Sequence, residues 1–180
     1  IVLLTLVINN LVSQELTTQV KEKNLEIATA VQENVNDFLD QTENIINVSA
    51  ELEKIKSGDQ QAMLEVLKKI KKEYDCFKYI YVAKKSGTMI MHPQVELKPD
   101  YNPQKRTWYK KAVKNDKLIW TDSYLDANDN YLMITVAMPI KNNSGEFIGV
   151  LAGDILLNDL SRTIADKKIG ETREAYIRNN

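Results

Sequence analysis

The stretch Tyr79-Ile80-Tyr81-Val82-Ala83, then Lys84-Lys85-Ser86-Gly87, then Thr88-Met89-Ile90-Met91 decides the reading of this chain. Two apolar runs, rich in β-branched and aromatic residues, flank a polar tetrad that ends in glycine, which is the pattern of a β-hairpin. Before Tyr74 the apolar period is near four; from here on it is near two. Downstream, residues 120–124, 130–140 and 147–155 read as three more strands. The turn formers Asp126-Ala127-Asn128-Asp129 and Lys141-Asn142-Asn143-Ser144-Gly145 join them. Five antiparallel strands are therefore expected. Between the second and third, a short helix is expected, opened by Asn102 as N-cap and Pro103 as first helical residue and running through Trp108 and Ala112.

Working back toward the N-terminus, Val20, Ile27, Val31, Val35, Phe38, Ile45, Leu52 and Ile55 recur at intervals of three, four and seven, with no proline or glycine between them. The spacing predicts one long helix from about residue 16 to 55, with a narrow apolar stripe suited to a sheet at one end and a partner helix at the other. Ser57-Gly58-Asp59 ends it, and Met63, Leu64, Val66, Leu67 and Ile70 mark a second amphipathic helix. The fold class is α+β: a long N-terminal helix packed on a module with a five-stranded antiparallel sheet and flanking helices. Residues 1–8 are apolar except Thr5, and Asn9-Asn10 then interrupt the run. That is too short to span a bilayer, so it is expected to be the outer end of a transmembrane helix that begins upstream; an amphipathic or buried helix end is the alternative. At the other end, residues 158–168 read as a helix and Tyr176-Ile177 as the start of a strand leading into a second domain, with a frayed tail as the alternative.

Composition narrows the function. The 180 residues are 43% apolar and 27% charged with a net charge of -1, and charges of both signs are mixed along the chain. No basic face is available for a phosphate backbone, which excludes nucleic acid as partner. The single cysteine, Cys76, excludes an intrachain disulfide, and with one histidine, His92, the chain has no His/Cys cluster of the kind zinc favours. No metal or other cofactor is indicated.

The chemistry concentrates in Tyr101, Arg106, Trp108 and Tyr109, followed by Tyr124, Asp126 and Asp154. An amino acid presents a carboxylate and an ammonium on one carbon, so its pocket needs a donor fork opposite carboxylates and phenol oxygens. Arg106 can clamp a carboxylate bidentately and Trp108 can add its indole N–H, while Asp126 and Asp154, with Tyr109 and Tyr124, offer acceptors to an ammonium. Taken one by one, each residue also has an ordinary reading: Trp108 and Ala112 make a core face at i and i+4, and Arg106 can be a solvated surface residue.

Tyrosine, arginine five later, Trp-Tyr, then Tyr-x-Asp on a strand and Asp after Gly on another resembles the amino-acid-binding motif of double Cache sensor domains of bacterial chemoreceptors. The resemblance implies a PAS-like Cache module in which Tyr101, Arg106 and Trp108 hold the ligand carboxylate, and Tyr109, Tyr124, Asp126 and Asp154 surround its ammonium. It implies four regions: 1–12, the end of a transmembrane helix; 13–56, a signalling and dimerisation helix; 57–157, the membrane-distal, ligand-binding module; and 158–180, a connector and the first residues of a membrane-proximal module. The implied protein is a membrane-anchored homodimer with its sensor outside the cytoplasm, a chemotaxis receptor and not an enzyme. The related variant for biogenic amines lacks the carboxylate clamp, so Arg106 and Trp108 favour amino acids.

Other functions use the same residues. A histidine kinase or cyclase can carry such a sensor, for an amine or another small ligand. A hydrolase or isomerase could use Asp126 and Asp154 as an acid/base pair, although no nucleophile elbow or glycine-rich phosphate loop accompanies them. A structural dimerisation domain would use the aromatics only as core. His92 beside Pro93 reads as a structural or surface histidine, and residues 126–130 as a turn, since they lack calcium-loop spacing.

Overall fold

No glycine or proline stands between Val2 and Ala50, and a single helix, α1 (Val2–Ala50), fills the span. In the computed structural model, residues 2–126 and 130–166 are described. Leu39–Thr163 form one compact unit, and the helical residues before Leu39 belong to another. In that earlier stretch Ile8, Leu11, Val12, Leu16, Val20 and Leu25 are exposed. No helix among the described residues is long and apolar enough to cross a membrane. The expected strand at Tyr176-Ile177 lies outside the described residues.

The long helix is shorter at its C-terminal end than its sequence pattern suggests. Leu52 turns into extended backbone (φ -65°, ψ 134°), and a separate turn, α2 (Glu53–Lys56), follows. The cause is tertiary. Ile55 is fully buried while Leu52 is exposed, so the chain leaves the helix to carry Ile55 into the core, where α2 packs on the next helix and the sheet. Helix α3 (Gln60–Glu73) starts on Asp59, whose carboxylate accepts the Ala62 N–H at 2.8 Å, and buries Met63, Val66, Leu67 and Ile70 along one face.

Strands β1 (Tyr79–Lys84) and β2 (Met89–His92) form the expected hairpin, with Gly87 at φ 90° in its turn. Two ten-residue strands, β5 (Leu132–Lys141) and β6 (Phe147–Leu156), make the centre of an antiparallel sheet in which β2, β1, β6 and β5 lie side by side in that order. The expected strand over residues 120–124 is instead two, β3 (Ile119–Trp120) and β4 (Tyr124–Leu125), both paired to β5. The sheet thus has six strands in five positions. Thr121 explains the interruption: its hydroxyl takes the Thr135 N–H at 3.0 Å, the role a ladder carbonyl otherwise fills, and Asp122 and Ser123 are left exposed.

The segment before β3 also splits. Asn102 caps as expected, accepting the Gln104 N–H at 2.9 Å, but it opens only a 3-10 turn, Pro103–Lys105. Arg106 is extended (φ -75°, ψ 149°), and α4 (Thr107–Asn115) begins after it. Helix α4 lays Trp108, Tyr109 and Ala112 on the sheet face formed by Tyr79, Tyr81, Ala83, Ala137, Val150 and Ala152. The small residues Ala83, Ala137 and Ala152 permit its close approach. On the other face Gly153 faces the Phe77 ring. A last helix, α5 (Leu157–Asp166), follows β6 directly.

Candidate ligand-binding site

Register determines where the polar groups converge. Tyr79 on β1, Asp154 on β6 and Thr135 on β5 share one row of the sheet, and Ala152 and Ala137 lie in the next row, opposite Tyr81. The apolar floor under α4 therefore ends at a row holding a carboxylate and a hydroxyl. Asp154 is 6% exposed and Thr135 is fully buried. Asp154 Oδ1 accepts from Thr135 Oγ1 at 2.7 Å, from Tyr81 Oη at 2.8 Å and, more distantly, from Tyr124 Oη at 3.3 Å. Tyr124 Oη also lies 2.6 Å from Thr135 Oγ1. Thr135 has one proton; spent on Asp154, it leaves its oxygen to accept from Tyr124.

This carboxylate forms no ion pair with any lysine or arginine among the described residues. Burial pushes its pKa up from 3.8 to about 6, the Asp126 charge adds to the rise, and the bonds from Thr135, Tyr81 and Tyr124 act against it. A buried, uncompensated carboxylate is costly to hold in its charged form, and a cation brought from outside relieves that cost.

A cleft of about 350 Å³ opens beside this cluster. Lys105, Arg106, Thr107 and Trp108 line one side, and Thr121, Asp122, Ser123, Tyr124 and Leu125 the other. Its two walls are the two places where regular structure breaks: the turn into α4, and the gap between β3 and β4. Arg106 is half-buried, with its guanidinium carbon 5.6 Å from the centre of the Tyr101 ring. The first intrahelical bond of α4 runs from the Lys110 N–H to the Arg106 carbonyl at 3.1 Å. The N–H groups of Thr107, Trp108 and Tyr109 therefore have no partner within the helix, and with the guanidinium they give this wall the character of an anion site.

Tyr101 links the halves. Burial pushes its hydroxyl up to about 12; the charge of Arg106 and a hydrogen bond from Trp108 act to lower it, and Asp154 and Asp126 act to raise it. Arg106, Asp126 and Asp154 thus all act electrostatically on one phenol. Tyr124 is raised by burial first and by Asp154 second. Asp126 follows β4, its N–H bonded to the Tyr131 carbonyl at 2.9 Å. Of the seven residues singled out from the sequence, Arg106, Trp108 and Tyr124 line the cleft, Asp154 is bonded to Tyr124, and Tyr101 and Asp126 act on the same groups. Tyr109 sits in the apolar cluster, its ring against Trp108 (5.7 Å) and Phe147 (6.3 Å).

Tyr81, Thr135, Thr121 and Ser123 were not singled out from the sequence. The alternation Tyr79-Ile80-Tyr81 places both tyrosines on one face, and that was the available signal for Tyr81. Thr135 carried none, because threonine is an ordinary strand residue.

The Cache domain family profile (dCache_1) matches residues 12–180. Among solved structures, the ligand-binding domain of the Pseudomonas aeruginosa PAO1 amino acid chemoreceptor PctC, in complex with GABA, superposes with a TM-score of 0.69 at 25% identity, over 78% of this chain and 66% of that one. The corresponding domain of PctB in complex with L-Gln gives 0.70 at 23% identity over 81% and 59%, a likeness of fold. Methyl-accepting chemotaxis protein McpB of Bacillus subtilis strain 168 is 33% identical over 99 residues, 54% of this chain and 14% of its own length. McpA of Pseudomonas putida strain KT2440 is 30% identical over 102 residues, 56% of this chain and 16% of its own. The chain thus spans about a seventh of the length of these chemotaxis proteins. With a sheet and helices arranged as in chemoreceptor ligand-binding domains and a profile match over most of its length, the chain belongs to the Cache domain family.

Proposed function

We propose that this chain is the ligand-sensing part of a transmembrane chemotaxis receptor of the methyl-accepting type, that it lies outside the cytoplasm, and that it binds a free amino acid. Residues 57–157 form the binding module. The ligand carboxylate meets Arg106 and the N-terminal turn of α4, with Trp108 and Tyr101 beside it. The ammonium meets Asp154, with Tyr124, Asp126 and Tyr109 as the other acceptors of that side. The observation that carries this reading is the cleft with Arg106 and Trp108 on one wall and Tyr124, bonded to a buried and unpaired Asp154, on the other. PctC and PctB, solved with GABA and L-Gln, support it, since each of those ligands carries a carboxylate and an ammonium.

Residues 13–56 transmit the signal and pair with a second copy of the chain. Residues 1–12 lead to the membrane, and residues 158–180 connect to a further module. Binding signals only to the extent that the ligand has different affinities for two arrangements of the domain and α1. Isothermal calorimetry of the purified chain against the common L-amino acids tests the central claim. Saturable binding of one or a few of them is expected; absence of heat from every one of them sinks it.

A further inference from the structure

The hydroxyl bonds to Asp154 are one-sided. Thr135 Oγ1 (2.7 Å), Tyr81 Oη (2.8 Å) and Tyr124 Oη (3.3 Å) all meet Oδ1. Oδ2 takes none of them. Every fully buried side-chain polar atom among the described residues has a hydrogen-bond partner, so Oδ2, without one, keeps access to the outside. The two short donors come from two different strands, β1 and β5, the Tyr124 hydroxyl on β4 closes the set from 3.3 Å, and Tyr81 is itself held by edge contact with Trp108, ring centres 5.1 Å apart. A carboxylate fixed through one oxygen by such a set cannot rotate without breaking two short bonds.

We infer that Tyr81 and Thr135 are positioning residues for ligand binding: by occupying Oδ1 they fix the Asp154 carboxylate so that Oδ2 alone is presented to the ligand's ammonium. The inference rests on the amino-acid reading above and deepens it. Neither residue need touch the ligand. Both act through Asp154, by orienting it and by favouring its ionised form, because a hydroxyl donates to a carboxylate more strongly than to a carboxylic acid. The other charged or titratable groups acting on this cluster are Asp126, Tyr101 and Tyr124, with Arg106 acting on it through Tyr101.

The test uses Thr135→Val, nearly isosteric and without the hydroxyl, Tyr81→Phe, and Thr135→Ser, which restores the donor. Two quantities are measured between pH 4.5 and 8: amino-acid affinity by calorimetry, and the titration midpoint of Asp154 in the ligand-free protein from its ¹³C-labelled carboxyl resonance. Wild-type affinity is expected to fall as pH drops through the Asp154 midpoint. Thr135→Val and Tyr81→Phe each raise that midpoint by about one pH unit, as loss of a hydrogen bond to a charged group requires. Affinity at pH 7 falls roughly tenfold in each. Thr135→Ser stays within about twofold of wild type. A residue important only for packing would lower the melting temperature without moving the midpoint. Unmoved midpoints in folded Thr135→Val and Tyr81→Phe overturn the inference, as does wild-type affinity in both variants. If wild-type protein binds no amino acid, the functional reading fails instead, and the resonance still decides whether the hydroxyls hold the carboxylate. Should Thr135→Val fail to fold, Tyr81→Phe and Thr135→Ser carry both measurements.

Discussion

Trp120 donates its indole N–H to Glu43 Oε1 at 2.7 Å, which ties the strand before the cleft wall to helix α1. The next residue, Thr121, lines the cleft and bonds to Thr135 through both backbone and side chain. One hydrogen bond therefore separates the helix proposed to transmit the signal from a wall of the cleft. Hydrogen bonds to charged groups contribute about 1.5–3 kcal/mol, and partial exposure of this pair argues for the lower end. Trp120→Phe is expected to cost about 1–2 kcal/mol in urea denaturation. Glu43→Gln, which keeps an acceptor oxygen, is expected to cost less. Equal losses from the two changes would mean that the bond depends on the carboxylate's charge, and a large loss in Trp120→Phe with none in Glu43→Gln would mean that the ring's packing, and not the bond, holds β3 to α1.

A buried carboxylate with a raised pKa opposes folding at neutral pH. Asp154 rises from 3.8 to about 6 in the folded chain, so its stabilising contribution is complete below pH 3.8 and is lost as pH climbs through about 6. Above that the native state carries a penalty of roughly 2–3 kcal/mol at most, from 1.36 kcal/mol per pKa unit. Asp154→Asn keeps an oxygen for the Thr135 and Tyr81 hydroxyls and removes the charge. The variant is expected to melt higher than wild type at pH 7.5, to lose most of that advantage by pH 4.5, and to bind no amino acid at either. A melting temperature below wild type at pH 7.5 would show that the charge is already compensated inside the protein.

Strong local signals made most of the architecture legible. The switch of period at Tyr79 and the glycine at Gly87 placed the first hairpin, and the unbroken helical pattern placed α1. Tertiary burial set what was not legible. Ile55 ends α1 by entering the core, with no breaker in the sequence to announce it. Thr121 splits a strand by substituting its own hydroxyl for a backbone acceptor, and Arg106 interrupts a helix without proline or glycine. Both departures border the cleft, where the chain gives up regular pairing to expose polar groups. For the site, residue type and order pointed to Arg106, Trp108, Tyr124 and Asp154. The hydroxyls behind Asp154 were hidden because tyrosine and threonine are ordinary occupants of strands.

The glycine before Asp154 has a packing reason. A Cβ on Gly153 would sit 2.4 Å from the Phe77 ring and 3.3 Å from Ile80 Cδ1, and Phe77 is fully buried. Gly153→Ala therefore forces Phe77 to move and is expected to cost about 1–3 kcal/mol by overpacking. Gly149 is tighter against backbone, where a Cβ would lie 2.5 Å from the Ala83 carbonyl oxygen, and a strand pairing must shift to admit it. Gly149→Ala is expected to be the more destabilising of the two in thermal melts. The reverse order would mean that the β1–β6 ladder yields more readily than the Phe77 ring.

Arg106 separates binding from folding. Its side chain is half-buried and forms no salt bridge with Asp or Glu among the described residues. Its stacking on Tyr101 at 5.6 Å contributes about 0.5–1 kcal/mol at such a site. Arg106→Ala should therefore lower stability by no more than about 1 kcal/mol. If the guanidinium clamps a ligand carboxylate, the same change costs roughly 2–5 kcal/mol of binding, a thirty-fold loss or more. Arg106→Lys retains the charge and loses the planar fork, so its affinity should fall between the two. Calorimetry on all three proteins, with melting temperatures alongside, makes the comparison. Wild-type affinity in Arg106→Ala would leave only the first turn of α4 to hold a carboxylate and would remove the distinction between an amino acid and a simple amine as the ligand.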